Sequence, residues 1–78
     1  MSLEERIVIA PEVRGGKPCI RGTRITVELI LRRMSDGATE TELLASYPQL
    51  SSEDLRAAIR YAADEIGLAE RVEEPSNA

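Results

Sequence analysis

The sequence predicts a mostly α, three-helix domain with a short N-terminal β element. Three observations carry this. Three segments each open on a serine or threonine and close on glycine or proline. Apolar residues inside them recur at spacings of three and four. A single β-branched run precedes them all. The 78 residues are read as one domain over 1–67, followed by a short acidic tail over 68–78.

The β element is Arg6–Ala10, an Arg-Ile-Val-Ile-Ala run stopped by Pro11. A strand this short needs a partner. Cys19–Ile20 and Arg24–Ile25, flanking Gly22-Thr23, are the candidates, within the chain or from a second copy. An open edge there, together with the small size of the core, predicts a homodimer.

Thr26 is the expected cap of the first helix. Val27, Ile30, Leu31 and Met34 form its apolar stripe, Arg32 and Arg33 sit where the dipole is negative, and Gly37 ends it. Thr39-x-x-Glu42 is a capping box opening the second helix, whose apolar contacts come from Leu43, Leu44 and Tyr47 before Pro48 stops it. The third helix starts at Ser51, with Leu50 and Leu55 as a hydrophobic staple. Leu55, Ile59, Ala62 and Ile66 are its expected apolar face, widened by Ala58 and Ala63, and Gly67 is its expected stop.

Composition narrows the chemistry. The chain has no histidine, which removes Ser-His-Asp and Cys-His catalysis within one copy. One cysteine and no histidine argue against zinc. Tyr47 and Tyr61 are the only aromatic residues, too few for a single-strand stacking platform. Neither the phosphate-cradling loop nor the dinucleotide fingerprint is present, and no cofactor is expected. Carboxylate pairs such as Glu40/Glu42 and Asp64/Glu65 fall on helix surfaces with no partner group, so the chain is read as non-enzymatic. No apolar run approaches the ~20 residues needed to cross a bilayer, so no membrane is expected as a partner. Met1–Ile9 lacks the core of a secretory signal, and a lone Cys19 suits a reducing cytoplasm, the expected location. Cys19, between Pro18 and Ile20, reads as a small core residue rather than a reactive thiol.

Charge is unevenly placed. The net is −4. Yet Arg14 through Arg33 holds six cations and one anion, a local +5, whereas residues 38–78 hold three cations and nine anions, a local −6. The basic stretch coincides with Gly15–Ile25, where Gly15, Gly16, Gly22 and Pro18 shape the backbone. Lys17, Arg21 and Arg24 are its candidate contacts to phosphate or to a partner's carboxylates. For Arg24, a tie between the loop and a helix carboxylate is the competing role.

A helix, the connection Pro48-Gln49-Leu50 and a longer helix match the outline of a helix-turn-helix. With the first helix they form the three-helix unit of homeodomain-like DNA readers. Arg56 and Arg60 share one edge of the third helix, and Ser51 and Ser52 stand at its start, where hydroxyls and free N–H groups hold phosphate. These four residues are the DNA-binding candidates. The alternative is an ordinary solvated face, with Arg56 paired to Glu53 and Arg60 to Asp64. Glu53, Asp54 and the local −6 oppose phosphate.

Gly16-Lys17-Pro18-Cys19-Ile20-Arg21-Gly22-Thr23-Arg24-Ile25 resembles the signature of domain-of-unknown-function family 433. Gly37-Ala38-Thr39, Tyr47-Pro48-Gln49-Leu50 and Leu55 through Ala63 resemble it too, so the likeness runs from about Arg6 to Ile66. The resemblance implies a homeodomain-like fold, winged or three-helix, and an antitoxin role. Relatives look like VapB-type antitoxins, paired with a toxin of PIN-like ribonuclease fold and often bound to their own operator, a double-stranded DNA. Many antitoxins neutralise through a long disordered C-terminal segment. The tail here is short and acidic, so the folded body or the basic loop is expected to meet the toxin. A protein-interaction module without DNA binding is the alternative.

Overall fold

The computed structural model describes residues 1–69. Their order is a 3-10 turn at Glu4–Arg6, strand β1 at Ile7–Val8, a turn at Arg14–Gly16, strand β2 at Cys19–Ile20, and helices α1 (Val27–Ser35), α2 (Glu40–Ser46) and α3 (Ser52–Ala69). The domain is mostly α, with three helices and a small N-terminal β element.

The β element is closed within the chain. β1 and β2 pair antiparallel, Ile7 opposite Ile20 and Val8 opposite Cys19. Beyond the pair, Arg21 N–H donates to the Arg6 carbonyl at 2.7 Å. On its other side β2 is bridged to Thr26, and the Ile20 N–H reaches the Ile25 carbonyl at 2.9 Å. Cys19–Ile20 is therefore the partner of Ile7–Val8, and Ile25–Thr26 flanks it from the opposite side. No second copy is needed to satisfy these strands.

The helix signals act as read. Thr26 Oγ1 accepts from Leu29 N–H at 3.0 Å, and Thr39 and Glu42 exchange both bonds of a capping box. At the end of α1, Gly37 (φ 100°) lets its own N–H reach the Met34 carbonyl and the Ala38 N–H reach Arg33, the paired bonds of a Schellman closure. Ser51 caps α3, and Leu50 and Leu55 are both buried.

The core gathers Ile20 and Ile25 from the β element, Val27 and Ile30 from α1, Leu43 from α2, and Leu50, Leu55 and Ala58 around α3. Burying each large aliphatic side chain contributes about 1.5–3 kcal/mol. β2 and all three helices contribute to this one cluster, and half-buried Ile7 of β1 packs against it.

Two expectations for α3 are corrected. Its buried line is Asp54, Leu55, Ala57 and Ala58, continued by half-buried Tyr61 and Ala62; Ile59 and Ile66 are 43% and 57% exposed. Asp54 faces inward with the buried apolar residues, where Arg6 Nη1 donates to its Oδ1 at 3.0 Å. Gly67 also fails to stop α3, which continues to Ala69. A helical glycine costs about 1 kcal/mol against alanine, which does not break a helix already held by packing. The rest of the expected tail lies outside the described residues.

Candidate interaction surface

The glycine-rich segment is built from two unusual turns. Arg14, Gly15 and Gly16 take φ of 51°, 67° and 88° in succession, a left-handed turn closed by Gly16 N–H to Val13 and Lys17 N–H to Arg14. Glycine adopts this geometry freely, arginine does not. Further on, Gly22 at φ 81° turns the chain between Ile20 and Thr23. Thr23 Oγ1 fixes that turn, donating to the Ile20 carbonyl and accepting from Ile25 N–H.

These turns hold the three loop cations on different elements. Lys17 Nζ donates to Glu28 Oε1 on α1 at 3.1 Å, and Arg32 Nε takes the other oxygen at 3.0 Å. The hydrogen bond from Lys17, then that from Arg32, lowers the Glu28 carboxyl below its usual value. Arg21 Nε donates to the Glu5 carbonyl at 2.6 Å, fastening the turn to the N-terminus. Arg24 is exposed and has no hydrogen-bond or ion-pair partner among the described residues. It stands at the rim of a hollow of about 280 Å³ lined by Val8, Val13, Cys19, Ile20, Gly22 and Thr23. Cys19 is buried, as a core residue would be.

The start of α3 is already occupied. Ser51 Oγ accepts from Asp54 N–H at 3.2 Å while Ser51 N–H donates to Asp54 Oδ2 at 2.9 Å, a reciprocal cap. Ser52 Oγ donates to Glu40 on α2. Glu53 and Asp54 fill the first turn. Arg60 pairs with Asp64 at 3.5 Å and reaches Glu4 at 4.0 Å. Arg56 is exposed, with no partner among the described residues, and at 100° per residue it points directly away from the buried line of α3. Arg60 and Arg21 thus both touch the Glu4–Arg6 turn, whereas Arg56 stands apart from the loop cations' partners.

One concavity was not anticipated from the sequence. A groove of about 530 Å³ runs between α1 and the distal half of α3. Val27, Leu31, Ala62 and Ile66 line it, with Lys17, Glu28 and Arg32 along one edge and Tyr61 and Glu65 along the other. Burial, then the Glu65 charge, raises the Tyr61 hydroxyl above its ordinary value. The groove follows α1 from Val27 to Ser35 and faces the Tyr61-to-Ile66 stretch of α3. Among the described residues, no cluster of three or more His, Cys, Asp or Glu forms a metal-holding group. No described helix is long and apolar enough to cross a membrane.

The profile of the family described as "Protein of unknown function (DUF433)" matches residues 7–62. The chain belongs to that family. A crystal structure of a DUF433 member protein from Anabaena variabilis is 42% identical, with a TM-score of 0.77 over 88% of this chain and 68% of that one. An uncharacterized protein of Sinorhizobium fredii, y4eO, is 33% identical over 58 residues. That match takes in 74% of this chain but 26% of the relative, so the chain spans about a quarter of that protein's length. The DUF433 match contains all seven residues singled out in the sequence: Lys17, Arg21, Arg24, Ser51, Ser52, Arg56 and Arg60. It ends at Ala62, partway along the groove, with Glu65 and Ile66 beyond it.

The Arg6–Asp54 pair escaped the sequence reading. Ser51-x-x-Asp54 has the spacing of a capping box and would have flagged Asp54. Arg6, 48 residues away, carries no local signal.

Proposed function

We propose that this DUF433 chain is an antitoxin-like, non-enzymatic cytoplasmic regulator that binds a cognate ribonuclease toxin of PIN-like fold. The groove between α1 and α3 carries this reading. It is an apolar trough with a charged edge, left uncovered by every described residue, and a partner's helix or loop would bury it. Half-exposed Ile66 at its lip is the side chain such a partner would cover. A homodimer is part of the proposal, although the strand pairing no longer calls for one.

Capture from the native cell tests it. A tagged chain is expected to recover a small ribonuclease that survives nuclease treatment of the lysate, and the purified pair is expected to be inactive on RNA until the two are separated. Ile66→Asp, at a site with room for the change, is expected to abolish capture while the circular-dichroism melt stays in place. A partner bound equally well by Ile66→Asp would remove the groove from the reading. A recovered protein without ribonuclease activity would remove the antitoxin role.

Operator DNA is the second reading, supported by Arg56, which faces solvent opposite the core. Against it stand Glu53, Asp54 and Glu40 around the start of α3 and the engagement of Ser51 and Ser52. If α3 reads DNA, Arg56→Ala with Arg60→Ala lowers affinity for the promoter duplex and flattens the log–log salt slope by about 1.8, two phosphate contacts at about 0.9 each. No duplex binding at low salt leaves the protein-interaction module.

A further inference from the structure

Nine of the ten lysines and arginines lie in the described residues. Six of the nine have a partner: Arg6 with Asp54, Lys17 and Arg32 with Glu28, Arg21 with the Glu5 carbonyl, Arg33 with the Tyr47 hydroxyl, and Arg60 with Asp64. Arg14, Arg24 and Arg56 make no side-chain hydrogen bond or ion pair with another described residue. Arg24 lines the hollow beside β2, and the backbone of Arg14 adjoins it through Val13, another of its lining residues.

Arg14 is also the only described non-glycine residue with positive φ. Glycine would adopt that turn at lower cost. The arginine gains no internal contact in exchange. A strained backbone that presents an unpaired charge points to a use outside the chain. The hollow itself is walled by Val8, Val13, Cys19 and Ile20, which offer nothing to a phosphate and a good deal to an aliphatic side chain.

We infer that the hollow beside β2 is a docking site for an acidic protein segment: an apolar side chain fills the hollow, and flanking carboxylates meet Arg14 and Arg24. Guanidinium forks bind carboxylates in two-point geometry, which suits an extended segment whose acidic residues stand two positions to either side of an aliphatic one, on the same face. Nucleic acid fits less well, because its phosphate backbone has no apolar group for the floor of the hollow. The inference rests on the proposed function only in taking the partner to be a protein. The hollow shares no lining residue with the α1–α3 groove, so the two can be tested apart.

The experiment is a titration of the nitrogen-15-labelled full chain, followed by amide shifts. The probe is a blocked peptide repeating Glu-Ser-Leu-Ser, which places leucine and glutamate on one face when extended, with the glutamine-for-glutamate peptide and a mixed-sequence duplex DNA as comparisons. The acidic peptide is expected to give saturable shifts at Val13, Gly15, Gly22 and Thr23, and the glutamine peptide to bind about tenfold more weakly. Arg24→Gln and Arg14→Gly are each expected to weaken the acidic peptide about tenfold. Arg14→Gly keeps or raises the melting temperature, because glycine relieves the left-handed turn, so its loss of binding is not a loss of fold. Full affinity in Arg14→Gly would overturn the proposal. So would equal binding of the glutamine peptide, shifts centred on Leu31, Ala62 and Ile66, or stronger shifts at the same amides with DNA. Ile66→Asp is expected to retain peptide binding. Its loss of toxin capture alone would leave this site standing, and peptide failure with capture intact would sink this site and spare the groove.

Discussion

Replacing Asp54 by alanine tests how the N-terminal segment is fastened to α3. Asp54 is only 7% exposed and serves two partners, Arg6 Nη1 at 3.0 Å and Ser51 N–H at 2.9 Å. A hydrogen bond to a charged group contributes about 1.5–3 kcal/mol. The Arg6 side chain is 23% exposed, so water screens part of this, and about 1–2 kcal/mol is the fair share. Losing the reciprocal cap adds about 1 kcal/mol. The expected loss is therefore about 2–3 kcal/mol. A chain of 78 residues has roughly 4–12 kcal/mol in all, so this is a large fraction of it. At about 4–8 °C per kcal/mol the midpoint should fall by roughly 10–20 °C. Urea unfolding followed by far-ultraviolet circular dichroism measures it, and Arg6→Met with the double variant completes a cycle. Because removing both charges leaves neither buried alone, the double variant should recover part of the loss. A loss below about 0.5 kcal/mol, or strict additivity across the cycle, would show that the pair does not fasten the two ends.

Gly22→Ala meets no steric neighbour, so its expected loss of about 1 kcal/mol by urea unfolding comes from the φ of 81° alone; an unchanged midpoint would deny that turn. Gly67→Ala should instead stabilise the chain by up to about 1 kcal/mol, since α3 is helical there, and a loss would mean the helix ends earlier. Glu28 should titrate below its usual 4.5 because Lys17 and then Arg32 favour the carboxylate. Its folded value is depressed, so its contribution is present above the unfolded value and disappears as pH falls through the folded one; carbon-detected titration of the carboxyl reads this, and Lys17→Ala should move it back up. Tyr61 should ionise above its ordinary 10.0, so the unfolded chain loses that proton first and stability declines as pH rises past it; an ultraviolet titration in which Tyr61→Phe removes no high-pH component would refute this.

The local grammar of the fold was open to reading. Thr26, Thr39-x-x-Glu42, Gly37 and the Leu50/Leu55 staple each act through neighbours three or four residues away, and each is where the spacing placed it. What escaped depends on distance along the chain. α3 turns inward a carboxylate whose partner is 48 residues earlier and leaves Ile59 and Ile66 exposed, so a rule that follows apolar residues alone misjudges its face. The same limit holds for the surface. That Lys17 is engaged by Glu28 while Arg24 is left unengaged follows from where α1 packs, and net charge over a segment weighs the two alike. The α1–α3 groove lies between two helices that are far apart along the chain, so it is visible only once both are placed.

The link between Arg6 and Asp54 also sets a schedule. A ribosome adds about 5–20 residues per second, so Arg6 leaves the tunnel roughly 2–10 s before the carboxylate that will hold it. During that wait β1 can already pair with β2 and Arg21 can hold the Glu5 carbonyl, so the N-terminal turn is tethered before α3 exists. Nascent chains stalled between α2 and α3 would therefore lack only the Arg6–Asp54 clasp, and completion of α3 would add it.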